Sequence, residues 1–211
     1  MLGLCIWKGR LMEKIRDELL GFWFGDATDD TEAGKAQAAL WWGQDAATDD
    51  LIAARFGQAA SAAAAGALDH WTGSPSGRLA LILLLDQMPR VIHRGTSGAF
   101  AQDDRARRVA AKGLESGADR LLRPVERVFF YLPFEHSEDE RDQHRSIELY
   151  KKLAAEVPEK WRESFDGYLH FAVRHKAIID RFGRFPHRNA ILGRESTPEE
   201  LEFLKEPGSG F

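Results

Sequence analysis

The sequence predicts an all-α fold of about eight to ten antiparallel helices. Apolar residues recur at helical spacing in most segments, and start signals such as Ser74-Pro75 precede several of them. No alternating stretch is long enough to suggest a strand. Gly/Pro turns join the segments closely, and short connections favour antiparallel neighbours.

The first two predicted helices flank a stretch without helical periodicity. Met12 to Phe24 carries apolar residues at helical spacing. Thr48 is expected to cap the second helix, with acids in its first turn and an end at Gly66. Between them, residues 40–43 (LWWG) are interpreted as a short aromatic anchor.

The third predicted helix is the centre of the fold. It opens at Ser74-Pro75, a cap followed by proline at the first helical position. Its run 79–85 (LALILLL) is apolar on all sides, which is typical of a buried helix. We expect it to end before Pro89, and a fourth helix to span roughly 97–112.

Four helices are predicted in the second half. A short apolar one covers 125–132 and is closed by Pro133. A capping box at 137–140 opens the next, which runs to about Ala155. A long helix follows Pro158 and stops at Gly183, and a second capping box at 197–200 starts the last.

Length and composition indicate one globular domain. The chain has 211 residues and 44% hydrophobic content, enough for one sizeable core. Met12 opens the first clear amphipathic pattern, so we divide the chain into an N-terminal extension or cloning remnant at 1–11 and a single domain at 12–211. No apolar run is long enough to span a membrane, and membrane attachment is not expected.

The net charge and the cysteine content limit the class of partner and the cellular compartment. The net charge of −4 argues against nucleic acid as a partner, because bulk cationic excess is missing. Cys5, the single cysteine, has no internal disulfide partner, which suits a reducing cytoplasm. We therefore predict a cytoplasmic protein.

Four uncommon strings together carry a family resemblance. They are 21–25 (GFWFG), 84–90 (LLDQMPR), 133–138 (PFEHSE) and 182–189 (FGRFPHRN). Over roughly Met12 to Phe211 the chain resembles the bacterial family called domain of unknown function 924 (DUF924). The resemblance implies an α-helical domain similar to tetratricopeptide-repeat folds, with a concave face, and it supplies no activity, substrate or catalytic residues.

Asp86 is the first candidate functional residue. It follows seven apolar residues near the end of a buried helix, where the helix dipole disfavours negative charge. A buried carboxylate there needs a cation, and Arg90, Arg184 and Arg188 are the candidates. The alternative is an ion pair that only fixes helix register.

Glu135 and His136 form the second candidate. They could act as an acid/base pair, or bind metal together with His175 or His187, although the spacing matches no standard zinc motif. Alternatively, Ser137 caps the next helix and His136 bonds a backbone carbonyl.

The strongest signal is the basic turn, which we define as residues 174–194. It holds six Lys or Arg against one acid, and aromatic residues lie between the cations. Arginines on a packed turn lose little entropy when they bind a carboxylate or phosphate. The alternative is a basic rim balanced by acids of segment 195–206.

These signals support three hypotheses. The first is a protein that binds an anionic small molecule or a peptide carboxylate. The second is a hydrolase or metal-assisted enzyme that uses Asp86, Glu135, His136 and His187. The third is a protein–protein interaction scaffold. No cofactor and no resident metal are predicted. The predicted anion contacts are Arg90, Arg184, His187, Arg188 and Asn189.

Overall fold

A computed structural model describes residues 2–210 of the chain, with side chains from 13 to 210. The prediction of an all-α fold is confirmed, because the regular elements in the described residues are helices and no strand occurs among them. Five short 3-10 turns separate several of these helices. The α-helices are α1 (Leu2–Phe24), α2 (Asp30–Trp42), α3 (Ala46–Ala64), α4 (Pro75–Ile92), α5 (Asp103–Glu115), α6 (Pro124–Glu135), α7 (Glu140–Glu156), α8 (Arg162–Phe182) and α9 (Pro198–Phe203).

Helix α4 is the centre of the core. The Ser74 side chain accepts a hydrogen bond from the Gly77 backbone at 3.1 Å, which confirms the predicted cap. All seven residues of 79–85 are fully buried. Helix α4 packs against α3, α5 and α6, and α7 packs against α6 and α8. Helix α4 is therefore enclosed by other helices of the fold.

Two predicted helix ends at prolines are wrong. Helix α4 continues through Pro89 to Ile92, and α6 continues through Pro133 to Glu135. Proline removes one backbone donor but tertiary packing can retain the helix, and both prolines are buried here. In α4 the Arg90 Nη1 atom also donates to the Asp86 carbonyl at 2.7 Å. The extension of α6 places Glu135 inside a helix, whereas Asp86 lies in the part of α4 that was predicted to be helical.

Other boundaries differ for reasons of local capping. Segment 25–47 contains an unpredicted helix, α2, whose low apolar periodicity hides it. Asp45, not Thr48, caps α3, and Asp139, not Ser137, caps α7. The predicted helix at 97–112 is divided into a 3-10 turn and α5. The predicted starts of α8 near Pro158 and α9 at Thr197 agree with the structure.

The N-terminal division stays a prediction. Helix α1 begins at Leu2, before the predicted start at Met12. The side chains of residues 1–12, including Cys5, lie outside the described residues. No helix among the described residues has the length and apolar character needed to cross a membrane.

Candidate functional site

Asp86 lies at the end of the buried stretch of α4 and has no exposed surface. His136 Nδ1 lies 2.9 Å from its Oδ1 and 3.1 Å from its Oδ2, Arg90 Nη1 lies 3.3 Å from Oδ1, and Gln87 Nε2 donates to Oδ2. Burial raises the pKa of the Asp86 carboxyl, but Arg90, His136 and Gln87 lower it by more. The net pKa lies below its usual range, so the buried group is ionised at neutral pH.

Arg90 joins Asp86 to α5. Its Nη1 and Nη2 atoms each donate to one carboxylate oxygen of Asp103 at 2.9 Å, which is a bidentate ion pair. Burial lowers the pKa of Arg90, yet Asp86 and Asp103 raise it by more, and the net pKa is raised. Arg90 is therefore fully committed to two carboxylates.

Arg188 lies beside Asp103, as Arg90 does, but its guanidinium makes different contacts. It sits in the 3-10 turn Pro186–Arg188, and its guanidinium carbon lies 4.6 Å from the Phe100 ring centroid and 4.5 Å from that of Phe185. Its nearest acid is Asp103, where Nη1 and Oδ2 are 3.5 Å apart. Within residues 2–210 its guanidinium makes no hydrogen bond, and its buried Nε has no partner there.

Burial, with the charge of Arg90 acting in the same direction, lowers the pKa of Arg188 to about 10. The guanidinium still carries its charge at neutral pH. It is buried to 6% residual exposure, so water can hydrate little of it. A charged group held this way has unused capacity to bind an anion.

A cavity of about 340 Å³ opens beside Arg188. Its walls come from three segments of the chain, 97–107, 133–138 and 188–192. They include Arg188, His136 and the apolar side chains of Phe100, Pro133 and Leu192. This volume is at the lower end of the roughly 300–1,000 Å³ that is typical of small-molecule sites.

His136 contributes an oriented imidazole to that cavity. Because both oxygens near its Nδ1 belong to the ionised Asp86, we assign the ring proton to Nδ1. Its Nε2 has no hydrogen-bond partner within the described part of the chain. Burial lowers the pKa of His136, with Arg90 acting in the same direction and Asp86 opposing it. The ring is therefore neutral at pH 7, with a lone pair on Nε2.

Comparison with known proteins identifies the family of this chain. A family model described as "Bacterial protein of unknown function (DUF924)" matches residues 19–208. This chain belongs to the DUF924 family. It is similar to a solved structure, the protein of unknown function ATU0120 from Agrobacterium tumefaciens, with 40% identity and a TM-score of 0.79 over 92% of this chain and 99% of that chain. No curated protein matches the chain.

Four predicted anion contacts of this DUF924 protein lie off the cavity wall. One of them is Arg90, which donates to Asp103 and to the Asp86 carbonyl. Arg184 Nε and Nη2 donate to Glu200 at 2.7 and 2.8 Å, as expected of a basic rim balanced by acids. Asn189 is fully buried and donates to Ser196 Oγ at 3.0 Å. His187 packs 5.6 Å from Phe185 by ring centroids, and burial lowers its pKa to about 4.

Glu135 also points away from the cavity and forms a second buried pair. Its Oε1 lies 3.1 Å from His175 Nδ1, which also lies 2.9 Å from the Phe171 carbonyl oxygen. Burial raises the pKa of Glu135 to about 8, Asp86 adds to the rise, and a hydrogen bond with Tyr150 opposes it. At neutral pH Glu135 is therefore largely protonated.

Sequence reasoning missed the roles of two residues that shape the site. Asp103 is an ordinary first-turn acid in the sequence, and only the tertiary fold places it between Arg90 and Arg188. Glu138 accepts from the Phe185 backbone at 2.8 Å and from both Nη atoms of Arg194 at 2.7 and 3.0 Å. In the sequence, Glu138 was part of the resembling string 133–138 and of the predicted capping box 137–140, and neither indicated its contacts with Phe185 and Arg194.

The metal form of the enzyme hypothesis finds little in this geometry. Among the residues whose side chains are described, no three His, Cys, Asp or Glu side chains group as metal ligands would. His136 and Asp86 meet, but Glu135 and His187 do not share the cavity wall with them. What remains of that hypothesis is a single Asp–His pair.

Proposed function

We propose that this DUF924 protein binds an anionic small molecule or a peptide carboxylate in the cavity beside Arg188. The observation that carries the proposal is the buried guanidinium of Arg188, which is charged, lines the cavity and makes no hydrogen bond to the described residues. A carboxylate or phosphate would supply the missing acceptors in a bidentate arrangement.

Other arginines near the site differ from Arg188 in this respect. Arg90 makes three hydrogen bonds, two to Asp103 and one to the Asp86 carbonyl. Arg184 also makes three, two to Glu200 and one to the Glu195 carbonyl. A purely structural role satisfies the donors of both, whereas it leaves those of Arg188 unsatisfied.

The carboxylates on the cavity wall compete only weakly with a bound anion for Arg188. Each already contacts an arginine other than Arg188, so its charge is compensated in part: Asp103 contacts Arg90 at 2.9 Å, Asp104 contacts Arg107 at 3.1 Å, and Glu138 contacts Arg194 at 2.7 Å. The apolar side chains of Phe100, Pro133 and Leu192 would cover the carbon part of a ligand. Arg188 is therefore the contact that selects for negative charge.

Calorimetric titration of phosphate, citrate and acidic peptides tests the proposal. Wild-type protein is expected to bind at least one of them saturably. Arg188→Ala should weaken that binding roughly ten- to a hundredfold, as expected for loss of charge-assisted hydrogen bonds. Arg141→Ala is the matched control, because its side chain is 92% exposed and pairs only with nearby Asp139. Equal affinity of the wild type and Arg188→Ala would contradict the proposal.

A further inference from the structure

His136 and Arg188 line the same cavity, and each presents a functional group without a hydrogen-bond partner in the described chain. From this juxtaposition we infer that the protein is an esterase for carboxylate-bearing esters, with His136 as general base and Arg188 holding the substrate carboxylate. The inference rests on the proposed function, since it assigns a reaction to the anion bound there.

The orientation of His136 is the first support. Its Nδ1 side is fixed by Asp86, a carboxylate with no exposed surface, in an Asp–His arrangement that fixes the ring tautomer and leaves Nε2 as the basic atom. His136 itself lines the cavity with 13% of its side chain exposed. A water molecule in the cavity can therefore reach the basic nitrogen.

The simpler explanation is that His136 only compensates the buried charge of Asp86. However, Asp86 already has a cation in Arg90, at 3.3 Å, and a donor in the Gln87 amide. A neutral imidazole adds no counter-charge, and burial together with Arg90 keeps the pKa of His136 low. Compensation of Asp86 thus gives no reason for His136 to reach the cavity wall.

The reaction uses only water and the ester. His136 Nε2 accepts a proton from water as the water oxygen bonds to the ester carbonyl carbon. The bond from that carbon to the alcohol oxygen then breaks, and the departing oxygen takes the proton from Nε2. The products are a carboxylic acid and an alcohol, and the imidazole returns to its neutral form. Arg188 keeps the remote carboxylate in place throughout, which positions the ester against the base.

The charged groups that surround His136 define its expected pH dependence. Asp86 and Arg90 act on it from α4, Asp103 from α5, and His175 on α8 lies 6.2 Å away by ring centroids. The turn Pro186–Arg188 adds His187, whose titration is linked to that of His136, and Arg188 on the same cavity wall. Its pKa lies below the ordinary value of 6.5. The rate should therefore rise with pH through that lowered pKa and then level off near neutrality.

The test compares mono-4-nitrophenyl glutarate with neutral 4-nitrophenyl valerate. We expect kcat/KM for the glutarate ester to fall at least about 100-fold in His136→Gln, the usual size of a general-base contribution. His144→Gln is the matched control, because His144 is a 61% exposed histidine on α7, and it should keep the wild-type rate. Arg188→Ala should abolish a preference for the charged ester of about tenfold or more.

Binding of glutarate, the non-hydrolysable part of the probe, separates the two proposals. If His136→Gln hydrolyses the glutarate ester as fast as wild type while both bind glutarate, the esterase inference is overturned and anion binding stands. If wild-type protein binds none of the tested anions and shows no preference for the charged ester, both proposals are overturned. Should His136→Gln fail to fold, the wild-type pH profile decides, because a rate without an inflection below 6.5 excludes His136 as the base.

Discussion

His136 Nδ1 lies 2.9 Å from Asp86 Oδ1 and thereby joins the C-terminal ends of α6 and α4. The two residues are 50 positions apart in the sequence. Asp86 precedes Pro89, which lies inside α4, and His136 follows Pro133, which lies inside α6. Arg90 extends the contact to Asp103, which lies next to Arg188. One buried carboxylate thus connects α4, α5, α6 and the basic turn.

Removal of that carboxylate should be strongly destabilising. We expect Asp86→Ala to lower the free energy of unfolding by about 3–5 kcal/mol, because Arg90 would stay buried with one counter-charge fewer. Urea denaturation measures the change. Glu202→Ala is the control, since its side chain is 73% exposed in a pair with Lys205, and a shift within about 0.5 kcal/mol is expected. A similar small shift for Asp86→Ala would show that the network does not stabilise the fold.

Glu138 should support the turn that carries Arg188. Its carboxylate holds the Phe185 backbone at 2.8 Å and Arg194 through both oxygens. Glu138→Ala removes the acceptor of the Phe185 N–H and of Arg194 Nη1, so we expect a loss of about 1–3 kcal/mol in unfolding free energy and weaker anion binding. Glu140→Ala, two positions away and 70% exposed, should change neither. Unchanged anion affinity in a folded Glu138→Ala would contradict a positioning role.

The fold class was predictable because buried helices carry a recognisable pattern of apolar residues in the sequence. The apolar run 79–85 and the Ser74 cap predicted α4 correctly. Helix α2 was missed because its Ala-rich composition carries almost no periodic apolar signal. The ends at Pro89 and Pro133 were predicted wrongly because tertiary packing outweighs the loss of one backbone hydrogen bond.

The site could be predicted only in part, because its members depend on long-range contacts. Asp86 stood out as an acid on an apolar helix, with Arg90, Arg184 and Arg188 as its expected partners, and of these only Arg90 pairs with it directly among the described residues. The geometry brings Asp86, Arg90 and Arg188 together through Asp103. Arg184 was indistinguishable from Arg188 by local sequence, yet one pairs with Glu200 and the other lines the cavity. The difference arises because Glu200, an acid of segment 195–206, lies beside Arg184 in the fold.

Glu135 should make stability fall as the pH rises. Its folded-state pKa is raised from 4.5 to about 8, so its stabilising contribution is present below 4.5 and is lost as pH increases through about 8. Glu135→Gln keeps a neutral polar group and removes this titration. The difference in unfolding free energy, wild type minus variant, should therefore decline across that interval. Urea denaturation at a series of pH values measures it, and a constant difference would show that Glu135 titrates normally.

The three histidines near the site do not obscure this comparison. The pKa values of His136, His175 and His187 are all lowered, so their contributions are lost as pH falls below the ordinary histidine value. These effects occur in both the wild type and Glu135→Gln and largely cancel in the difference. The alkaline decline should therefore be assigned to Glu135.

Gly183 ends α8 with a φ of +67°, which an L side chain adopts with strain. A Cβ atom there would meet nothing within 4 Å, so Gly183→Ala tests the backbone alone. We expect a loss of about 1–2 kcal/mol in unfolding free energy. Gly57→Ala, within α3 and equally free of contacts, should instead gain about 0.5–1 kcal/mol. Changes of the same sign in both variants would contradict this assignment.

Arg188 and Arg90 should respond in opposite ways to replacement by methionine. Arg188 bears the cost of burial without a hydrogen bond to the described chain, and Asp103 would keep both of its bonds to Arg90. We therefore expect Arg188→Met to leave the unfolding free energy unchanged or raise it by about 1 kcal/mol. Arg90→Met removes the cation between Asp86 and Asp103 and should cost about 3–5 kcal/mol. Thermal and urea denaturation measure both variants. If Arg188→Met is destabilised as much as Arg90→Met, Arg188 stabilises the fold, and its donors without hydrogen bonds no longer support an anion site.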